Sequence, residues 1–177
     1  MEYRTIPGGA CMIVKLSKSY FNKYVNRIIF LLMNIQFISY EFAESICEDI
    51  YNNINLYSDY SFLYIDRDIP LGIIIASPLK HNILSKKACE IKYLSVNPDF
   101  SGRGIASSMV GHLKKKCSGY FDYLYLTVYE NNSGAIEFYK KMGFSPFMLN
   151  GKLQTVVRDP GTRIEHTDIC MTCDLTV

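Results

Sequence analysis

Apolar residues recur every three to four positions from Tyr20 to Gln36 and from Tyr40 to Asn53, and this spacing predicts two helices. Ahead of them, Cys11 to Leu16 is a short apolar run of strand type; residues 1–10, which include "PGG", are expected to be a loose leader. Tyr60 to Asp66 and Leu71 to Ala76 are rich in Tyr, Phe and Ile, and "DRDIP" between them reads as a hairpin turn. Pro78 to Lys87 reads as a loop. Cys89 to Val96 is a strand that Pro98 brings to an end, because proline cannot donate to a central ladder. A third helix is predicted over Gly102 to Cys117, with Ala106, Met109, Val110, Leu113 and Cys117 as its apolar stripe. Lys114, Lys115 and Lys116 fall in its last turn, where cations suit the helix dipole, and read as a solvated end before Gly119. Phe121 to Tyr129 is a strand, and Ser133 to Met142 a short helix with Gly143 just past it. Phe144 to Leu149 and Ile164 to Leu175 are late strands, joined by the loop "NGKLQTVVRDPGTR". The order β-αα-ββ-β-α-β-α-β-β predicts an α/β (α+β) fold. Its mixed central sheet has about six to seven strands flanked by about four helices, in one domain over residues 1–177.

Composition narrows the function classes. An apolar content of 49% with 20% charged residues excludes a disordered chain. A formal charge of +2 supplies no field for nucleic acid, so no such partner is expected. Cys11, Cys47, Cys89, Cys117, Cys170 and Cys173 are scattered through apolar stretches, as buried thiols in a reducing compartment are. Cys170 and Cys173 stand three apart in a predicted strand, which puts them on opposite faces, and there is no second pair; no metal is expected. The most apolar run, "IIFLLMNIQFI" from Ile28 to Ile38, is roughly half the length of a membrane span. It also lies too far along the chain for a signal peptide. The expectation is a soluble cytoplasmic protein with no membrane partner.

The stretch "NPDFSGRGIASSMVGHLKKK" (Asn97 to Lys116) sets glycines on both sides of an arginine at the mouth of a helix. A nucleoside triphosphate loop would need Gly-Lys-Ser/Thr, which does not follow Gly104. A dinucleotide fingerprint would need glycine where Ser107 stands, although Glu130 could take the ribose. Five residues also separate Val96 from Gly102, so the tight turn is missing. The third reading fits better. A helix N-terminus offers unpaired N–H groups, Gly102 and Gly104 let the backbone close on a pyrophosphate, and Arg103 adds charge. Coenzyme A is a ligand of that kind and needs no magnesium.

"EIKYLSVNPDFSGRGIASSMV" resembles the coenzyme A motif of the GNAT N-acetyltransferases, a strand ending in Val-x-Pro followed by Arg/Gln-x-x-Gly-x-Gly/Ala. "LTVYENNSGAIEFYKKMGF" resembles their second motif through Asn132, Ala135, Tyr139, Gly143 and Phe144. The likeness runs from Cys11 to Leu175, and both motifs stand in the family's order. It implies acetyl-CoA as cosubstrate. Ser101, Gly102, Arg103, Gly104, Ile105, Ala106 and Ser107 then hold the pyrophosphate, with Asn132, Ala135 and Tyr139 further along the coenzyme; Asn132 bonds the coenzyme or caps the following helix, two compatible roles. The strand carrying Leu94, Ser95 and Val96 splays from the next one, and its backbone N–H groups polarise the thioester carbonyl. Glu90 is the implied general base and Tyr139 the implied acid toward the leaving thiolate. Read from the residues alone, Glu90 equally pairs with Lys92, two positions on. Ser101 departs from the family's Arg/Gln, leaving a hydroxyl and a backbone N–H in its place.

The reaction implied is acetyl transfer to a primary amine by direct attack in a ternary complex. The acceptor is a protein N-terminus, a lysine or a small amine; a homodimer is left open. In the family, the acceptor entrance lies near Ser39 to Glu41 and Asn150 to Arg163. Glu41, Glu44 and Glu48 share a helix face that attracts a cationic amine or is simply solvated, the plainer reading, while Arg158 and Arg163 point to an acidic acceptor or to solubility. Two other readings stay open: a GNAT-fold module that binds coenzyme A without catalysis, and an NAD-binding oxidoreductase.

Overall fold

The computed structural model describes residues 11–79, 86–158 and 166–176. In chain order the elements are β1 (Cys11–Lys15), α1 (Lys18–Met33), α2 (Tyr40–Asn52), α3 (Ile54–Tyr57), β2 (Phe62–Asp66), β3 (Ile69–Pro78) and β4 (Ala88–Val96). A single 3-10 turn, Pro98–Phe100, precedes α4 (Ile105–Cys117). Then come β5 (Tyr123–Tyr129), α5 (Ser133–Lys141), β6 (Ser145–Pro146), β7 (Met148–Leu149), β8 (Lys152–Leu153), β9 (Thr155–Arg158) and β10 (His166–Asp174). The fold is mixed α/β, with a mostly antiparallel central sheet flanked by five helices. Contacts divide the chain into two compact units, residues 1–77 with 93–113, and residues 78–92 with 114–177.

In the first unit the strands run in the order β1-β2-β3-β4, the last through its Tyr93–Val96 part. Ser17 opens α1 by accepting the Tyr20 N–H on its hydroxyl, and Ser39 does the same for Phe42 at the start of α2. Spacings of three and four then turn Phe21, Tyr24, Ile28, Leu31 and Leu32 of α1 inward, with Ala43, Ile46, Cys47 and Ile50 of α2. These side chains close over Val14, Leu63, Ile65, Ile73 and Ile75 of the strands. The hairpin between β2 and β3 turns through Arg67 (φ 46°) and Asp68 (φ 66°), the left-handed pair that a two-residue turn requires. Asp68 Oδ1 is fastened there by Lys23 Nζ at 2.6 Å and the Tyr24 hydroxyl at 2.5 Å.

The other face of β3 carries Gly72. A Cβ at that position would stand 2.7 Å from Met109 Cε, 3.0 Å from Ile105 Cγ2 and 3.3 Å from the Ser95 carbonyl oxygen. The missing side chain therefore admits the first turns of α4, whose Ile105, Met109, Val110 and Leu113 are buried.

In the second unit the order is β4-β5-β10-β6, with β9 also on β10. β4 joins β5 in parallel from Ala88↔Tyr123 to Glu90↔Tyr125, and the remaining pairs are antiparallel. β5 alternates strictly. Leu124, Leu126 and Val128 are buried, while Tyr123, Tyr125, Thr127 and Tyr129 are only partly covered. Cys170 and Cys173 fall on opposite faces of β10, as their spacing requires. The six cysteines are free thiols, and all but Cys11 are buried.

Local chemistry explains where the elements depart from expectation. Gly102 (φ 73°) and Gly104 (φ 77°) hold residues 102–104 outside the helix, so α4 starts at Ile105 rather than Gly102. The loop expected over residues 150–163 contains β8 and β9. Asn150 (φ 50°) and Gly151 (φ 72°) supply an Asn-Gly hairpin turn that pairs β7 with β8. The late strand expected over Phe144 to Leu149 is accordingly two short pieces on different partners, β6 on β10 and β7 on β8. Lys114 is not solvent-facing as expected. Its Nζ donates to the Met142 carbonyl at 2.6 Å and lies 5.8 Å from the centre of the Phe144 ring. The leader (1–10) and Arg163 lie outside the described residues.

Replacing Gly72 by valine should cost about 1–3 kcal/mol, because the neighbours on three sides must move. In a chain of this size that lowers Tm by roughly 2–12 °C. A melting temperature equal to the native one would show that α4 does not depend on this contact.

Candidate functional site

In the first unit, Asn97 is buried and its side-chain oxygen accepts the Asp99 N–H at 3.3 Å, closing the 3-10 turn. The Ser101 N–H donates to the Pro98 carbonyl at 3.0 Å. Of the two groups expected of Ser101, the backbone N–H is thus engaged, and the hydroxyl remains. Gly104 closes the first full helical bond by accepting from the Ser108 N–H at 2.9 Å. The N–H groups of Ile105, Ala106 and Ser107 precede that bond and have no carbonyl one turn back to receive them. With the helix dipole they form a concentration of positive potential. A Cβ built on Gly102 or Gly104 meets open space, so glycine is needed there for its positive φ rather than for room. Arg103 is exposed and its guanidinium carbon lies 4.8 Å from the centre of the Phe100 ring. Phe100 thus steadies the charge beside the helix mouth, a role the sequence reading missed. Ser95 is buried and its hydroxyl donates to the Leu31 carbonyl at 2.5 Å; Leu94 and Val96 are partly exposed.

In the second unit, Glu90 sits beside Tyr125 in register and its Oε2 is 3.3 Å from Lys92 Nζ. The pairing read as the plainer role for Glu90 is therefore present. Tyr139 lies in α5 with the rings of Phe138 and Phe144 edge-on at 5.2 and 5.5 Å. Burial pushes the Tyr139 phenol above its ordinary pKa. Asn132 accepts the Ala135 N–H at 3.1 Å and so caps α5. At the other end of α5, Gly143 (φ 83°) lets the Phe144 N–H reach back to the Tyr139 carbonyl at 3.0 Å.

Around Glu90 the sheet gathers a polar group that the sequence did not reveal. The Tyr125 hydroxyl donates to Cys170 Sγ at 3.2 Å. Burial raises the Tyr125 pKa, and the bond to Cys170 raises it further; the charge of Glu90 adds to the rise and that of Arg158 opposes it. Arg158 donates from Nε to Asp168 Oδ2 at 2.7 Å and from Nη2 to Thr127 Oγ1 at 3.0 Å. His166 Nε2 is 3.4 Å from the other Asp168 oxygen, and its ring meets Tyr129 edge-on at 5.4 Å. Among the described residues no cluster of three or more His, Cys, Asp or Glu side chains is arranged to hold a metal ion. Nor is any described helix long and apolar enough to cross a membrane.

The family model "Acetyltransferase (GNAT) family" matches residues 29–144, from the middle of α1 to Phe144, and so spans the α4 mouth and α5. The chain belongs to the GNAT acetyltransferase family. An uncharacterised N-acetyltransferase of Methanocaldococcus jannaschii is 39% identical over 67 residues, 36% of this chain and 28% of that protein. Solved structures show the same fold at lower identity. One is the NatC complex bound to Gag peptide and CoA, with TM-score 0.69, 18% identity and coverage of 94% of this chain and 99% of that one. Arabidopsis thaliana Naa50 with a bisubstrate analogue gives TM-score 0.65 and 20% identity over 91% and 97%. The Escherichia coli ribosomal-protein-S18-alanine N-acetyltransferase gives 0.64 and 17% over 94% and 95%.

The cap at Asn132 yields a prediction within this GNAT chain. Asn132→Ala should cost about 0.5–2 kcal/mol in thermal unfolding, and Asn132→Asp, which keeps a capping oxygen, much less. Equal losses in both variants would show that the capping bond does not set the role of Asn132.

Proposed function

We propose that this chain is an acetyl-CoA-dependent N-acetyltransferase acting by direct attack of a primary amine on the thioester. The observation that carries the reading is the mouth of α4. Two left-handed glycines, a steadied arginine and three N–H groups ahead of the first helical bond make a cradle for a diphosphate. A loop of this kind binds its ligand through phosphates and leaves the reactive end elsewhere, as coenzyme A requires. The GNAT membership supports the same reading, as do structural relatives described with CoA or a CoA-containing analogue.

The thioester supplies an activated acyl group; the protein must manage two protons and one developing charge. The acceptor ammonium, with a pKa of roughly 10.4 for a lysine or roughly 8 for an α-amine, must first be deprotonated. Glu90 is the base in this proposal, acting through water, with Lys92 holding one of its oxygens. Backbone N–H groups over Leu94 to Val96 polarise the carbonyl. As the nitrogen–carbon bond forms and the carbon–sulfur bond breaks, Tyr139 gives its proton to the sulfur, and the second proton leaves the nitrogen through water to restore the tyrosine. Because burial raises the pKa of this phenol, Tyr139 stays protonated and ready to donate throughout the neutral range. The acceptor is a protein N-terminus, a lysine or a small amine. The relatives described with the bisubstrate analogue CoA-Ac-MVNAL or as a ribosomal-protein-S18-alanine N-acetyltransferase support the first of these. The Glu90–Lys92 pair is the observation that favours a second reading, a coenzyme A-binding module without turnover.

Release of free thiol from acetyl-CoA across a panel of amines and peptides tests the proposal, and binding of the coenzyme with no release on any acceptor would select the second reading. Tyr139→Phe should lower kcat by about 10²–10⁴ while coenzyme A affinity stays within a few-fold, the range for loss of one positioned acid. Since the phenol pKa is raised, Tyr139 loses its proton only above about pH 10, its ordinary value. An alkaline fall in rate below pH 9 that vanishes in Tyr139→Phe would contradict that. At the cradle, Gly104→Asp and Gly104→Asn differ by one charge on residues that both tolerate positive φ. The aspartate should weaken coenzyme A binding at least about ten-fold more than asparagine, measured by calorimetry. Equal affinities would remove the anion assignment.

A further inference from the structure

Arg158 is carried by β9, yet its guanidinium reaches across β10 to β5. One bond goes to Asp168 on β10 at 2.7 Å and the other to Thr127 on β5 at 3.0 Å. The two ends of this pair differ sharply in exposure: the Asp168 side chain is 9% exposed and that of Arg158 47%. A buried anion thus holds an exposed cation in place from beneath, and the surface presents the cation. The two bonds occupy two of the five guanidinium N–H donors, leaving three for a planar oxyanion.

Glu90 lies on the same face. The register sets it beside Tyr125, and Thr127 is two residues further along β5, on that side of the sheet. Strand spacing and rise separate the Glu90 and Thr127 positions by roughly 8 Å. The Tyr125 hydroxyl feels both charges, Glu90 raising its pKa and Arg158 lowering it. One sheet face therefore offers a carboxylate suited to an ammonium and, at a strand position roughly 8 Å from it, a threonine on which a guanidinium suited to a carboxylate is fixed.

We propose that this face binds an amine acceptor that carries a carboxylate close to its amino group, with Arg158 as the specificity-determining residue and Asp168 and Thr127 as positioning residues. A peptide with Glu or Asp in its first two places presents that combination. The proposal rests on the transferase reading above for its acceptor chemistry, and it turns the acidic-acceptor alternative for Arg158 into a located contact.

The test is calorimetric binding to the full chain, with coenzyme A present, of octapeptides beginning Glu-Glu or Gln-Gln, and of the free Glu-Glu dipeptide. The acidic octapeptide should bind about ten-fold tighter than its amide counterpart, the scale of one charge-assisted bidentate contact. Arg158→Gln should bring that ratio to about one. Because this change strands the Asp168 carboxylate, Arg158→Gln with Asp168→Asn is measured beside it, and the melting curve and coenzyme A affinity of each variant report the fold. A native chain that binds the two octapeptides alike, or a preference that survives in both variants, would overturn the assignment. Tight binding of the dipeptide supports the carboxylate site with a small acceptor in place of a protein N-terminus. If the preference holds and depends on Arg158 but neither the octapeptides nor any amine of the panel above is acetylated, the transferase reading fails and the carboxylate site stands.

Discussion

The first turns of α4 lie against β3 at a point where a single methyl group would not fit. Gly72 supplies that space, and three features of the first unit follow from it. Ile105 and Met109 are buried against the strand, the Ser95 carbonyl comes close beneath them, and the helix mouth is held at a fixed height over the sheet. Ser95 is itself anchored on the other side by its hydroxyl bond to the end of α1. The α4 mouth, the proposed anion cradle, therefore needs no strain of its own beyond two glycine dihedrals. Its position is set by packing in a dense interior that does not yield by fractions of an ångström without cost.

The parts legible in the sequence were those whose signal is local. Periodicity placed α1, α2 and α5 within a few residues, and Gly143 sits at the left-handed position that its place just past a helix suggested. The turn ahead of α4 could be read because its backbone shape is written in glycine and proline. Gly72 could not be read in this way. It lies inside an apolar run, and the side chains that leave no room for a Cβ there are more than thirty positions away in the chain. Phe100 was passed over for the opposite reason, since one aromatic in a loop carries no pattern until its arginine neighbour is seen above it.

The segment after Asn150 takes its shape from turn chemistry. Asn-Gly is a strong short-range hairpin signal, yet the flanking residues are too few and too polar to look like strands by themselves. Once β9 is paired to β10, Arg158 is no longer a stray surface charge. It becomes part of a network that spans three strands. Glu90 illustrates the limit from the other side: its spacing to Lys92 forecast the ion pair, but Tyr125 beside it came from a neighbouring strand that only the register identifies.

The cysteines carry a practical consequence. Five of six are buried; burial raises the thiol of Cys47 to about 11, and a hydrogen bond with Cys117, with burial added to it, raises that of Cys89 further still. Thiols that remain protonated and shielded exchange slowly with disulfides, because the attacking species is the thiolate. In an assay that counts released thiol with an aromatic disulfide, the native protein contributes background through Cys11 while it stays folded. The onset of additional thiol signal during heating would then report unfolding from within the same cuvette that reports turnover.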